Sequence, residues 1–198
     1  MDKKLLGCLI LSMVAVVVVS GCTSTSNLVN FNANGVKFNY PDTWKVNSTP
    51  FTTLTMNTSS QSLVNLYKPN NAYDNVDLTS TFQLFLKEEN LNFNDLNSQI
   101  ELQRNVSKDM GYTKIQERNL TIDGAPAYEF VVAPFSMGEA SFIYFIKGGK
   151  LYEMLFYVPE GIHNRQNIET IRPDMDIIIK SFTIDPNTVK LSDVEKPR

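Results

Sequence analysis

Thiols and imidazoles are almost missing from this chain: its 198 residues include two cysteines and one histidine. A disulfide framework is therefore excluded for the folded part, and a multi-histidine metal site needs more than His163 can supply. Any Ser-His-Asp triad would have to pass through the same residue. His163 sits in "PEGIHNRQN" and reads as an exposed loop residue. Also lacking is a basic run that could track a nucleic-acid backbone, and the net charge is −3. Neither a nucleic-acid partner nor a cofactor is expected. The apolar run at residues 5–19 falls short of the roughly 20 residues that a transmembrane helix needs.

What is present begins with an address. Lys3 and Lys4 precede that apolar run, and small residues follow it, the pattern of a secretory signal. The exit, Val19-Ser20-Gly21-Cys22 and then Thr-Ser-Thr-Ser, resembles the lipobox of prokaryotic lipoproteins, in which the cysteine is lipidated and becomes the new N-terminus. On that reading residues 1–21 are a removable signal peptide and Cys8 goes with them. Lipid on Cys22 then anchors the protein at the extracytoplasmic face of the cell membrane. Loss of Asp2, Lys3 and Lys4 shifts the charge by one, to about −4. No thiol would remain for a nucleophile or a metal. Asn47, Asn57, Asn105 and Asn119 each open an N-glycosylation triplet. They are candidate acceptors in an organism that glycosylates, although an Asn-, Ser- and Thr-rich chain generates such triplets by chance.

Residues 22–33 are Thr, Ser and Asn around a few apolar positions, and read as the lipidated cysteine and a flexible tether. Residues 34–184 can bury one sizeable core and form one domain. From 185 to 198 the periodicity is lost, so this stretch reads as a surface tail.

Within the domain, Val36, Phe38 and Tyr40 alternate with polar residues, the mark of a half-buried strand, and Pro41 with Asp42 stops it. Strands are expected at 52–57 and 62–68. Leu78, Phe82, Phe85 and Leu86 then fit a helical stripe, and a second helix is expected over 95–110 with Leu102, Val106 and Met110 in line. Four strands follow, at 112–122, 128–133, 140–147 and 150–158. Asp123 and Gly124 turn the first pair and Gly148 and Gly149 the last. A closing helix carries Ile168, Ile171, Met175, Ile178, Ile179 and Phe182, with Pro173 either kinking it or marking a late start. The fold class is α+β: an antiparallel β-sheet with helices packed on it.

Tyr40-Pro41 and Trp44, then Gly124, Ala127 and Tyr128, then Ser181-Phe182, occur in an order and spacing that resemble the PsbP-like family. The resemblance covers about residues 34–184. It implies the PsbP-like α/β/α sandwich, shared with a small Ran-GTPase-binding protein, and an accessory role in binding a larger complex rather than catalysis.

The residues themselves offer little chemistry. Glu88 and Glu89 suit a solvated helix face. Asp74 and Asp77 lack the spacing of an EF-hand loop. Glu129, Glu139 and Glu153 either line a cleft or alternate as exposed charge on the sheet. Aromatic residues gather in the last hairpin, at Phe142, Tyr144, Tyr152, Phe156 and Tyr157; core packing explains them, but Tyr144, Tyr152 and Tyr157 are the candidate binding surface. Trp44 reads as a core anchor. The leading expectation is a lipid-anchored, non-catalytic module that binds a protein partner at the membrane. The alternatives are a small-solute or carbohydrate receptor with a pocket between sheet and helices, and a hydrolase using His163 and a glutamate.

Overall fold

The structure, a computed structural model, describes residues 27–47, 61–69, 79–88, 95–134, 138–160 and 167–189. β1 (Leu28–Ala33) and β2 (Val36–Pro41) form a hairpin, and β3 (Lys45–Val46) and β4 (Gln61–Lys68) follow. β5 (Ser80–Glu88) precedes α1 (Asp95–Asp109). The meander is β6 (Thr113–Ile122), β7 (Ala125–Ala133), β8 (Gly138–Lys147) and β9 (Lys150–Pro159). α2 (Ile168–Ser181) and β10 (Thr183–Ile184) close the fold. Strands β3-β4-β5-β9-β8-β7-β6 make a seven-stranded antiparallel sheet, and β1-β2-β10 a small second one.

Alternation along β8 shows how the large sheet is covered. Ile143 and Phe145 belong to the main core with Ile171, Met175 and Ile178 of α2 and Val36, Phe38 and Tyr40 of β2. Tyr144 and Ile146 point the other way, where they meet Leu96 and Ile100 of α1. Each helix thus packs on its own face of an antiparallel sheet, as expected.

Several expectations are corrected. The stripe around Phe82, Phe85 and Leu86 is no helix but an interior strand, β5, buried from Ser80 to Leu86. With both faces covered, hydrophobic alternation disappears, and a continuous apolar run also satisfies i, i+4 spacing. In α1 the helix is where it was expected but its inner face is not. Leu96, Ile100 and Ser107 are buried, while Leu102 and Val106 are 55% and 39% exposed.

Part of the expected tether is ordered strand, since residues 28–33 pair with β2 along their whole length. The turn between them, Asn34 and Gly35, has both φ angles positive, at 54° and 77°, as a tight hairpin requires. The expected tail also begins docked: Val189 is buried, and Lys150 donates to the carbonyls of Pro186 and Val189. The expected strand at 52–57 lies outside the described residues.

The turns at Asp123 with Gly124 and at Gly148 with Gly149 are as expected, all four at positive φ. α2 starts at Ile168 behind the cap Asn167, whose side chain accepts from Thr170 N, and runs through Pro173.

Candidate functional site

The aromatic meander is largely interior. Tyr152 is fully buried in the main core, stacked on Phe145 at 5.2 Å between ring centroids. Tyr144 is buried under α1, where its hydroxyl donates to Gln103 Oε1 at 3.0 Å. Burial, and then the nearby charge of Glu153, push the Tyr144 phenol well above its usual range. Tyr144 and Tyr152 are therefore not surface residues, because β8 and β9 are central strands with a helix over each face. Tyr157 is half-buried, against the cluster of Phe85, Phe130 and Leu155.

Nor are the meander glutamates exposed charge or an open cleft. Glu129 is completely buried on the α2 side of the sheet. It takes Arg118 from β6, Arg172 from α2 at 2.5 Å, and the Ser141 hydroxyl at 2.6 Å. Burial alone would lower the Arg172 guanidinium, but its bonds to Glu169 and Glu129 outweigh that and raise it. Glu153, on the opposite face, is 5% exposed and lies 3.3 Å from Lys87. Glu139 accepts from Ile168 N at 2.9 Å and so serves the first turn of α2.

A second arginine cluster joins α1 to the sheet edge. Arg104 donates to Glu117 on β6 at 2.8 Å and to the Tyr128 hydroxyl on β7 at 2.7 Å, and its guanidinium stands 5.5 Å from the Tyr128 ring centroid. The hydrogen bond from Arg104 is the main reason the Glu117 carboxyl falls from 4.5 to about 2. Reading the sequence singled out neither Arg104, Arg118 nor Arg172. Nothing local marks them, since their partners lie on other elements.

The motif residues are joints of the fold. Trp44 is 1% exposed, its amide donates to Pro41 O at 3.0 Å, and its indole Nε1 donates to Asp174 on α2 at 2.8 Å. Ser181 Oγ accepts from Asn39 N of β2 at 2.8 Å, and Phe182 meets Phe38 and Phe145.

Of the glycosylation candidates, Asn105 and Asn119 are exposed on α1 and β6 and Asn47 is half-buried beside β3. Glu88 is exposed at the end of β5, not on a helix. Asn57, Cys22, Cys8, His163, Glu89, Asp74 and Asp77 lie outside the described residues. Among the described residues no group of three or more Asp, Glu, His or Cys is placed to hold a metal ion, and no helix is long and apolar enough to cross a membrane.

The model of the family described as PsbP-like protein matches residues 14–184. No curated protein matches the chain. Among solved structures, it is similar to the cyanobacterial PsbP, CyanoP, of Synechocystis sp. PCC 6803, at 13% identity and a TM-score of 0.49, over 83% of this chain and 96% of that one. A Bacteroides thetaiotaomicron protein is similar at 15% identity and a TM-score of 0.41, over 81% of this chain and 50% of that one. A Pseudomonas aeruginosa protein of unknown function, described as a putative regulator, is similar at 8% identity and a TM-score of 0.39, over 76% and 92%.

Proposed function

The chain belongs to the family of PsbP-like proteins, and from that premise we propose that it is a non-catalytic accessory module, held at the extracytoplasmic face of the cell membrane by lipid on Cys22, which binds a protein partner there. The observation that carries the non-catalytic reading is the fate of the three meander carboxylates. Glu129 is neutralised by two arginines, Glu153 faces Lys87, and Glu139 bonds the backbone at the start of α2. A general acid or base needs access to substrate. Glu129 and Glu153, buried in ion pairs, lack that access, and Glu139 is engaged by the backbone of α2.

Affinity capture of the full lipidated chain from its native membranes tests the reading. One protein recovered in constant proportion is the expected result. A chain that fractionates alone, or a hydrolytic activity that disappears in His163→Ala, overturns it. For the anchor, Cys22→Ser should release the protein from membranes, and unchanged retention contradicts it.

A further inference from the structure

Among the described residues six large apolar side chains are exposed, and three of them, Leu28, Val29 and Val46, at 55%, 37% and 52%, lie on β1 and β3, with Leu28 and Val29 on opposite sides of the hairpin. Leu28 lies opposite Pro41 in the β1–β2 hairpin, and Asp42 N donates to Asn27 O at 2.9 Å, which ties the start of β1 to the turn after β2. That turn leads directly to β3, where Lys45 Nζ reaches back to Asp42 O at 2.8 Å and Val46 follows. The exposed neighbours are polar or basic: Asn27, Thr43 and Lys45.

Single exposed apolar residues are ordinary on a protein surface; their position along the chain is what matters here. Leu28 stands six residues after Cys22, a reach of about 20 Å at full extension. A lipid on Cys22 would therefore hold this end of the domain within that distance of the bilayer. β3 and β6 are the two opposite edges of the seven-stranded sheet. Six strand spacings of about 4.8 Å separate them, so Ile115 on β6 stands roughly 29 Å from Val46 across the sheet.

We propose that the start of the β1–β2 hairpin and the adjoining β3 dip end-on into the bilayer surface: Leu28 and Val29, on the two sides of the hairpin, and Val46 enter the interfacial layer, and Lys45 meets anionic phosphate headgroups. This inference rests on the lipid-anchor reading and adds an orientation to it. The lipid supplies the attachment, and a weaker contact beside the anchor adds to it and fixes how the domain is turned. It also leaves α1 and the β6 edge turned away from the membrane, towards a partner.

The test uses the full lipidated chain in vesicles of phosphatidylethanolamine and phosphatidylglycerol carrying brominated acyl chains, which quench tryptophan at short range. Leu28→Trp, Val46→Trp and Ile115→Trp each add one reporter at an exposed site over the constant background of buried Trp44. The expected result is loss of most of the added emission at 28 and 46, with the added emission at 115 unchanged. Flotation of the unsubstituted chain with the vesicles, abolished by Cys22→Ser, is measured alongside. If the chain floats and positions 28 and 46 are unquenched, or all three quench alike, the docking inference falls and the anchor stands. A chain that does not float overturns both.

Discussion

Trp44 and Asp174 are joined across 130 residues of sequence by a 2.8 Å hydrogen bond from the indole N–H to a carboxylate oxygen. Asp174 Oδ2 also accepts from Lys68 Nζ at 2.7 Å, so one carboxylate links the turn after β2, the end of β4 and the middle of α2. Hydrogen bonds to charged groups contribute roughly 1.5–3 kcal/mol. Asp174→Ala should therefore cost about that much in urea unfolding, since it leaves a buried indole donor unpaired. A double-mutant cycle with Trp44→Phe should show coupling of about 1 kcal/mol or more; additivity would mean the bond contributes nothing net.

Glu129 offers a sharper stability test. Glu129→Gln keeps the shape but removes the charge between Arg118 and Arg172, and breaking a buried ion pair from one side costs about 3–5 kcal/mol. Arg118→Met should cost less, because Arg172 is the less exposed partner, at 13% against 33%, and still satisfies the carboxylate. Equal losses in chemical unfolding would show that the triad does not divide its work this way.

Acid unfolding should carry the signature of Glu117. Its carboxyl is held at about 2 in the folded protein against an ordinary 4.5, so the folded state binds this proton more weakly than the unfolded chain does. The resulting stabilisation is fully present above pH 4.5 and is lost as pH falls towards 2. Arg104→Gln removes the main cause, and the stability–pH curve should flatten in that window while changing little in shape above it. A curve of unaltered steepness would remove Glu117 as a source of acid sensitivity.

Gly35 and Gly124 share a φ of +77° but differ in their surroundings. A Cβ at Gly124 meets nothing within 4 Å, whereas one at Gly35 falls 1.8 Å from Thr188 Oγ1. Gly124→Ala should cost only the left-handed backbone penalty, about 1–2 kcal/mol. Gly35→Ala should cost measurably more in thermal unfolding, and adding Thr188→Ala should recover part of the difference. No recovery would mean that residues 185–189 do not press on the hairpin.

How far the sequence could be read depended on whether each signal was local. The alternation of Val36, Phe38 and Tyr40 survived because β2 has one buried and one more open side. Asn34 with Gly35 is an equally local hairpin signal, but the strand before it, residues 28–33, is too polar to show the alternation of a strand. β1 is held by pairing with β2 rather than by its own burial.

Turn chemistry, strand alternation and the closing stripe of α2 were set by the sequence on its own, because positive φ, a two-residue period and a 3.6-residue period are properties of neighbouring residues. Tertiary structure alone decided that the run around Phe82 is a strand, since only the covering of both faces distinguishes it from a helix. It alone decided that Leu96 and Ile100, not Leu102 and Val106, face the sheet. It likewise chose the partners of Glu117, Glu129 and Trp44, because a carboxylate or an indole finds its counterpart through distance in space, and the sequence records only distance along the chain.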